Sequence, residues 1–279
     1  MTTHIGLISP GAMGAAVAAA ASGDVELFWA AEGRSPASRQ RAEAAGMTEV
    51  ADLAELVAAS DVVLSVCPPA EAGAVADAVL MLGFDRIYVD ANAIASGTAR
   101  SLASKVEKQA RFVDGGIVGP PPTKPGTTRL YLAGDGASVV AEPFADGPLD
   151  ARVLDGPPGA ASALKTCYAA NTKAGGALLM AIRALATAEG VDDDLVREWE
   201  ISQPHALQTS ERWAKGSAPK AWRFVGEMHE IGDALDAAGL PDGFLRAAAQ
   251  VYERLSDYKG SEGDVPLEEI VATLLKQDR

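Results

Sequence analysis

Cysteine is nearly absent: Cys67 and Cys167 are the only two in 279 residues, and they lie far apart in the chain. No CxxC pair or Cys/His cluster occurs, so no metal site is expected and both thiols read as small hydrophobes in a reducing compartment. Histidine is equally scarce. His4 opens an apolar run and reads as structural, while His205 and His229 are expected on surfaces rather than in catalysis. Positive charge is also short: Lys and Arg total 24 against 38 Asp and Glu, a net charge of −14. That balance repels nucleic acid and anionic membrane surfaces. No uninterrupted apolar run reaches the roughly 18 residues of a membrane span, and the opening MTTHIGLISPGAMG carries no basic leader segment. The expectation is a cytoplasmic protein that binds neither nucleic acid nor membrane.

What is present describes a folded chain with two cores. Hydrophobic content is 48% and charged content 22%, ordinary for globular proteins, and the length favours two domains. Up to about residue 155, β-branched runs at 4–9, 25–29, 61–66, 86–90, 110–114 and 129–133 alternate with helical patterns at 12–22, 35–45, 52–59, 70–82 and 97–108. Continuous apolar runs separated by helices predict a parallel, doubly wound α/β sheet covered on both faces. After VLDGPPG at 153–159 no convincing strand follows. Helices are predicted at 159–188, 192–203, 205–214, 218–238, 241–257 and 266–277, with proline near their starts and glycine near their ends. Residues 1–156 are therefore expected to form the α/β domain and 157–279 an all-α domain. A first helix of about 30 residues spans roughly 45 Å, more than one small domain covers on every face, which predicts a homodimer.

The turn GLISPGAMG leaves the first strand and opens a helix, the context a dinucleotide fingerprint requires. Gly11 and Gly14 hold the second and third fingerprint positions, and Ser9 replaces the first glycine. Ser9, Pro10, Gly11, Ala12, Met13 and Gly14 are the expected pyrophosphate cradle of a Rossmann-type domain. Ligands of such sheets bind at the carboxyl ends of strands, so Cys67, Pro68 and Asn92, from VCPPA and DANAIAS, are expected beside the cofactor. After the second strand comes WAAEGRSPASRQRA. Arg34 and Ser35 at a helix start, with Arg39 one turn on, suit the 2′-phosphate of NADP, whereas Glu32 suits NAD ribose. NADP is the favoured cofactor, and no metal is expected.

These motifs, with FVDGGIVGPPP at 112–122, GPPGAASALK at 156–165 and AWRFVGEM at 221–228, resemble the β-hydroxyacid dehydrogenase superfamily. That superfamily includes 6-phosphogluconate and 3-hydroxyisobutyrate dehydrogenases and, with altered catalytic residues, imine reductases. The resemblance covers nearly the whole chain and implies a Rossmann domain followed by a phosphogluconate-dehydrogenase-like helical domain. It places the catalytic acid/base at Lys165, on a helix between the domains, where partial burial turns an amine of pKa about 10.4 into a proton shuttle. Helix spacing puts Ser162, Lys165, Tyr168, Ala169 and Thr172 on one face.

The chain departs from the family at several positions. The family's asparagine four residues after the lysine is Ala169 here, and Tyr168, one residue earlier, is expected to orient the lysine or the substrate oxygen. Asn171 points elsewhere. A serine and two glycines of the family's carboxylate loop are replaced by Val118, Gly119 and Pro120, followed by two more prolines. Proline has no N–H to offer, so a bulkier or less charged substrate than a simple carboxylate is expected. Glu227 and Met228 stand where the family has a lysine and an aspartate lining the site. Arg223 and Arg129 are either anion contacts or ordinary surface arginines. The leading expectation is an NADP-dependent oxidoreductase acting on a small-molecule carbonyl or alcohol. The alternatives are NADPH-dependent C=N reduction and a non-catalytic NADP-binding protein.

Overall fold

A computed structural model describes residues 2–261 and 263–276. Two compact units divide the chain, one up to Thr166 and one from Cys167 onward. The first unit is built from β1 (Thr3–Ile8), α1 (Ala12–Ala19), β2 (Val25–Ala30), α2 (Pro36–Ala44), β3 (Thr48–Val50), α3 (Leu53–Ala59), β4 (Val62–Ser65) and α4 (Ala72–Met81). It continues through β5 (Ile87–Asp90), α5 (Ser96–Val106), β6 (Arg111–Val118), β7 (Thr128–Ala133), α6 (Ala137–Ala141), β8 (Leu149–Val153) and the start of α7 (Ala160–Ala169). The strands form one sheet in the order β3-β2-β1-β4-β5-β6-β7-β8. Strand β1, third in this order, pairs in parallel with β2 on one side and β4 on the other. This reversal of direction in the winding creates the crevice where ligands of doubly wound sheets bind.

The predicted doubly wound sheet is present, with three differences. Strands β3 and β8 are additional to the predicted six, and they are the two edges of the sheet. Edge strands need no continuous apolar run: TEV and LDARV are largely open to solvent and carry no such signal. The third difference is that β7 runs antiparallel to β6. The loop 119–127 between them holds no helix, and a parallel return needs a crossover of a dozen or more residues. On one face Leu7, Val17, Leu64, Val89 and Leu130 are buried together, and on the other Leu56, Val63, Tyr88 and Phe112. Each such side chain contributes about 1.5–3 kcal/mol on burial. Local signals fix several helix starts. Ser35 caps α2 by accepting from Ser38 N, with Pro36 in the first turn, and Asp52 caps α3 by accepting from Glu55 N.

The second unit is helical: α8 (Gly175–Ala188), α9 (Asp192–Ser202), α10 (Pro204–Ser217), α11 (Ala221–Ala237), α12 (Gly243–Arg254) and α13 (Leu267–Leu274). Its core contains Met180, Phe224, Met228, Tyr252, Leu267 and Ile270. The predicted continuous helix 159–188 is instead α7 and α8 joined by a π-helical segment, Ala170–Ala174. Thr172 Oγ1 donates back to the carbonyls of Tyr168 and Ala169 there, the local competition that bends helices. The predicted last helix ran to Gln277, which lies outside the described residues, as do residues 278 and 279 of the predicted second domain. No helix among the described residues is long and apolar enough to cross a membrane.

Candidate active site

Strands β5 and β6 are parallel neighbours in a register that sets Asp90 opposite Asp114. Both carboxylates are fully buried. Pleat alternation points Asp114 and Gly116 to the same face of β6, and α7 lies on that face. A Cβ at Gly116 would sit 2.6 Å from the Ala161 carbonyl oxygen and 3.4 Å from Lys165 Cβ. Only glycine permits this approach. Asp114 then holds the helix in place: Oδ2 accepts from the N–H groups of Gly159 (2.8 Å) and Ser162 (3.0 Å), and Oδ1 accepts from Ser162 Oγ (2.5 Å). These are first-turn amides that a helix cannot satisfy itself, so a strand carboxylate caps the helix that carries Lys165.

Lys165 follows one turn later and is half-buried. Burial pushes its pKa down from 10.5 to about 8, against the opposing pull of the Asp90 charge. Asp90 is pushed up from 3.8 to about 6, first by burial and further by Asp114, while hydrogen bonds from Asn92 and the charge of Lys165 oppose the rise. Asn92 donates its N–H to Asp90 Oδ1 (3.1 Å) and its Nδ2 to Oδ2 (2.9 Å). The same amide donates to Ser65 Oγ (3.1 Å) and accepts from Cys67 N (2.6 Å), tying together the ends of β4 and β5. An amine titrating near 8 gives or takes a proton close to neutrality, which is what an acid/base catalyst needs.

At the glycine turn, Ser9 has φ 67°, a left-handed conformation that favours glycine. The structure thus shows why glycine is the usual residue there. Gly11 N–H donates to Ser9 O at 2.7 Å, and a Cβ at Gly14 would come within 2.9 Å of that carbonyl. A Cβ at Gly11 would meet nothing within 4 Å, so the turn is open where a ligand phosphate would approach. The first amides of α1, at Ala12 and Met13, have no capping side chain. A cavity of about 280 Å³ beside the turn is lined by Ser9, Ala30, Glu32, Arg34, Leu53 and Val75 among others. Arg34 Nη1 donates to Ser9 Oγ at 3.1 Å. The open turn and the cavity beside it fit a dinucleotide.

Several expected contacts are engaged elsewhere. Arg39 is paired with Glu49 and its guanidinium lies 5.6 Å over the Trp29 ring. Arg41, which the sequence reading passed over, reaches the turn instead, donating from Nε to Pro10 O at 3.0 Å. Ser35 caps α2. Asn92 is buried and committed to Asp90, Ser65 and Cys67, so it braces the strand ends instead of lying open to a ligand. Pro68 is exposed, and burial pushes the Cys67 thiol up, which disfavours the thiolate. Cys167, expected among hydrophobes, is exposed. His4 is structural as expected, bonded to Asp61 at 3.0 Å, and His205 and His229 are exposed.

Of the expected substrate contacts, Val118 is buried at the end of β6. Gly119 has φ 127°, and a Cβ there would come within 2.4 Å of Thr127 O, so the turn itself demands glycine. Pro120 O accepts from Thr128 Oγ1 at 2.5 Å, and Arg129 Nη1 donates to Gly126 O at 3.3 Å. Ser162 is likewise spent on Asp114, whereas Tyr168 is 47% exposed. In the helical unit Arg223 is exposed beside the Trp222 ring and Glu227 is paired with Lys173. Met228 has no exposed surface and packs in the core, which corrects its assignment as a lining residue. Asp90 and Asp114 are the important residues that the sequence reading missed. Their one signal was an aspartate following a valine in each of two successive apolar strands, at the end of β5 and in the middle of β6.

Residues 186–255 match the family model described as a domain of unknown function, DUF1932. No curated protein matches the chain. Among solved structures, the conserved protein MTH1747 of unknown function, described as structurally similar to 3-hydroxyacid dehydrogenases, is 28% identical with a TM-score of 0.73. The match covers 91% of this chain and 97% of that one. The Mycobacterium tuberculosis 3-hydroxyisobutyrate dehydrogenase, solved with L-serine, is 20% identical over 99% of this chain and 100% of its own, TM-score 0.74. A reductive aminase from Aspergillus terreus, solved with NADPH and ethyl-5-oxohexanoate, is 17% identical over 98% of each chain, TM-score 0.57. The chain therefore has the fold of the 3-hydroxyacid dehydrogenases, and its helical part carries a DUF1932 domain. The resemblance read from the motifs is borne out at the level of fold.

Proposed function

We propose that the protein is an NADP-dependent oxidoreductase that moves a hydride between nicotinamide and a carbonyl or alcohol carbon of a small-molecule substrate, with Lys165 exchanging the proton. The observation that carries this reading is the half-buried Lys165 amine, drawn down by burial to about 8, on a helix fixed by Asp114 and Gly116. Nicotinamide, when bound, supplies or accepts the hydride. The turn from Ser9 to Gly14 and the first amides of α1 hold the pyrophosphate, and Arg34 receives the 2′-phosphate. Tyr168 steers the substrate oxygen toward the lysine. The loop from Val118 to Pro120 offers few free amides, which favours a substrate bulkier or less charged than a simple carboxylate. We place this activity in a cytoplasmic homodimer whose residues from 157 onward supply substrate and dimer contacts.

Reduction of C=N bonds is the second reading. It is supported by Ala169 in place of the family asparagine and by the altered carboxylate loop, while the retained lysine favours C=O chemistry. NADPH consumption against a panel of ketones and imines separates the two, and consumption of neither supports a non-catalytic NADP-binding role. With a working substrate, Lys165→Ala should lower turnover by roughly 10² to 10⁴ and leave the NADPH Kd unchanged. Full turnover in that variant overturns the assignment. If Tyr168→Phe is then the inactive one, the proton donor is Tyr168 and imine reduction becomes the better reading.

A further inference from the structure

We propose that Ser9 is a positioning residue for cofactor choice: its hydroxyl holds the Arg34 guanidinium with one edge free for the 2′-phosphate of NADP. This role deepens the reading of Arg34 under the proposed function and rests on it. Ser9 directly follows β1, where a dinucleotide fingerprint usually carries glycine, and its φ of 67° is the left-handed conformation that glycine adopts freely. Among the described residues every other positive φ belongs to a glycine. Strain of this kind persists where the surroundings fix it, and it collects at ligand clamps. Compared with glycine, serine adds only a hydroxymethyl group, so what the residue contributes lies there. Among the described residues the hydroxyl meets one partner, accepting from Arg34 Nη1 at 3.1 Å. The turn itself is fixed by other bonds: Ser9 O accepts from Gly11 N at 2.7 Å, and Pro10 O accepts from Arg41 Nε at 3.0 Å. The hydroxyl is therefore left to act on Arg34.

Arg34 needs such a partner. It lies in the loop between β2 and α2, and its side chain is exposed. Its backbone N–H donates to Ala31 O at 3.1 Å, which fixes the main chain and leaves the long side chain free. An exposed arginine samples many rotamers, and most of that freedom is given up when it grips an anion. A guanidinium held beforehand loses less. With Nη1 on Ser9, the edge formed by Nε and Nη2 stays open, and two N–H groups on one edge are what bind a phosphate through parallel bonds. Among the described residues no carboxylate pairs with Arg34, whereas Arg39 is tied to Glu49. Ser9 and Arg34 both line the cavity of about 280 Å³ beside the glycine turn. The bond between them thus lies on the wall of the space that the cofactor enters.

Titration calorimetry of the intact chain with NADPH and with NADH gives two Kd values whose ratio isolates the 2′-phosphate. Both cofactors share the pyrophosphate, so a change confined to the glycine turn moves both values together and cancels in the ratio. Ser9→Gly removes the hydroxyl and relaxes the backbone, which protects the fold. Ser9→Ala removes the hydroxyl and keeps a side chain in the left-handed conformation. In each the preference for NADPH should fall by roughly threefold to tenfold, the scale of one hydrogen bond. In an Arg34→Ala background Ser9→Gly should change the ratio no further, because the two residues act as one unit. A Ser9→Gly protein that keeps the unmodified ratio overturns the proposal. A second, full loss in the Arg34→Ala background also overturns it, because Ser9 would then meet the phosphate by itself. Equal Kd values in the unmodified protein overturn the NADP reading and the proposal together. A preference that Arg34→Ala erases and Ser9→Gly leaves whole overturns the proposal alone and lets the NADP reading stand.

Discussion

A lysine that titrates near 8 makes opposite demands on pH in the two directions of a redox reaction. Reduction needs the ammonium as acid, so kcat/KM should fall as pH rises through about 8, while oxidation needs the free amine and should rise through the same range. Bell-shaped profiles with a second limb near 6 would report Asp90. A reduction profile flat through about pH 8 removes Lys165 from the proton transfer. The stability effect has its own sign. Lowering the folded pKa makes the charged lysine a cost to folding below about 8, and this cost disappears as pH rises toward 10.5. Cofactor choice also belongs to single residues. NADPH should bind at least about tenfold tighter than NADH, on the order of 1.4 kcal/mol, and Arg34→Ala should erase most of the difference. Equal Kd values in the unmodified protein would remove Arg34 as the discriminating residue, leaving Glu32 on the same cavity rim. Lys165 and the glycine turn each sit in a local pattern that drew attention to them, whereas Ser162, expected on the catalytic face, is spent capping α7 through Asp114. Asp90 and Asp114 were not legible, since their roles depend on the register of β5 with β6 and on where α7 lands. Arg39 and Arg41 are two positions apart on one helix, and only the helix's rotation on the sheet decides which meets Pro10.

At the scale of elements, the close approach of α7 to β6 and the π segment after it are the features that place Lys165 and end its helix. Gly116→Ala would put a Cβ 2.6 Å from the Ala161 carbonyl. Backbone cannot move aside as a flexible side chain can, so α7 must shift. The expected loss is about 1–3 kcal/mol, read as a lower midpoint in urea, with turnover falling while NADPH affinity holds. A Gly116→Ala protein with unchanged midpoint and turnover would mean that α7 does not depend on this contact. The π segment has its own support in the helical unit: Trp213 Nε1 donates to Tyr252 Oη at 2.8 Å, and Tyr252 Oη donates to Lys173 O at 2.6 Å. The Lys173 carbonyl in the π segment thus accepts from a mostly buried hydroxyl of α12. Alanine-rich sequence through 160–188 gave no sign of this break, because the partner hydroxyl lies far along the chain on α12. Central strands, buried on both faces, were legible from their apolar runs, whereas β3 and β8 at the edges lacked them. The direction of β7 was hidden in a loop length that the strand pattern does not weigh.

For the whole molecule, the acidic balance and the exposed apolar surface of α8 bear on assembly. Leu178 and Leu185 stand two turns apart on α8, 60% and 62% exposed, so they share one face of the helix. Leucines are rarely left so open on a helix interior unless a partner covers them. The net charge of −14 opposes association at long range, so the contact must be apolar and short-ranged, and salt should strengthen it. The expected state is a homodimer. Light scattering at micromolar concentration should give twice the 28.7 kDa chain mass, with the dimer fraction rising as ionic strength rises. Leu178→Glu with Leu185→Glu would place two carboxylates in an apolar contact, and should yield monomers that keep their helical signal and NADPH affinity. A monomer in the unmodified protein ends the homodimer expectation. A dimer that survives both glutamates would move the contact away from this face of α8.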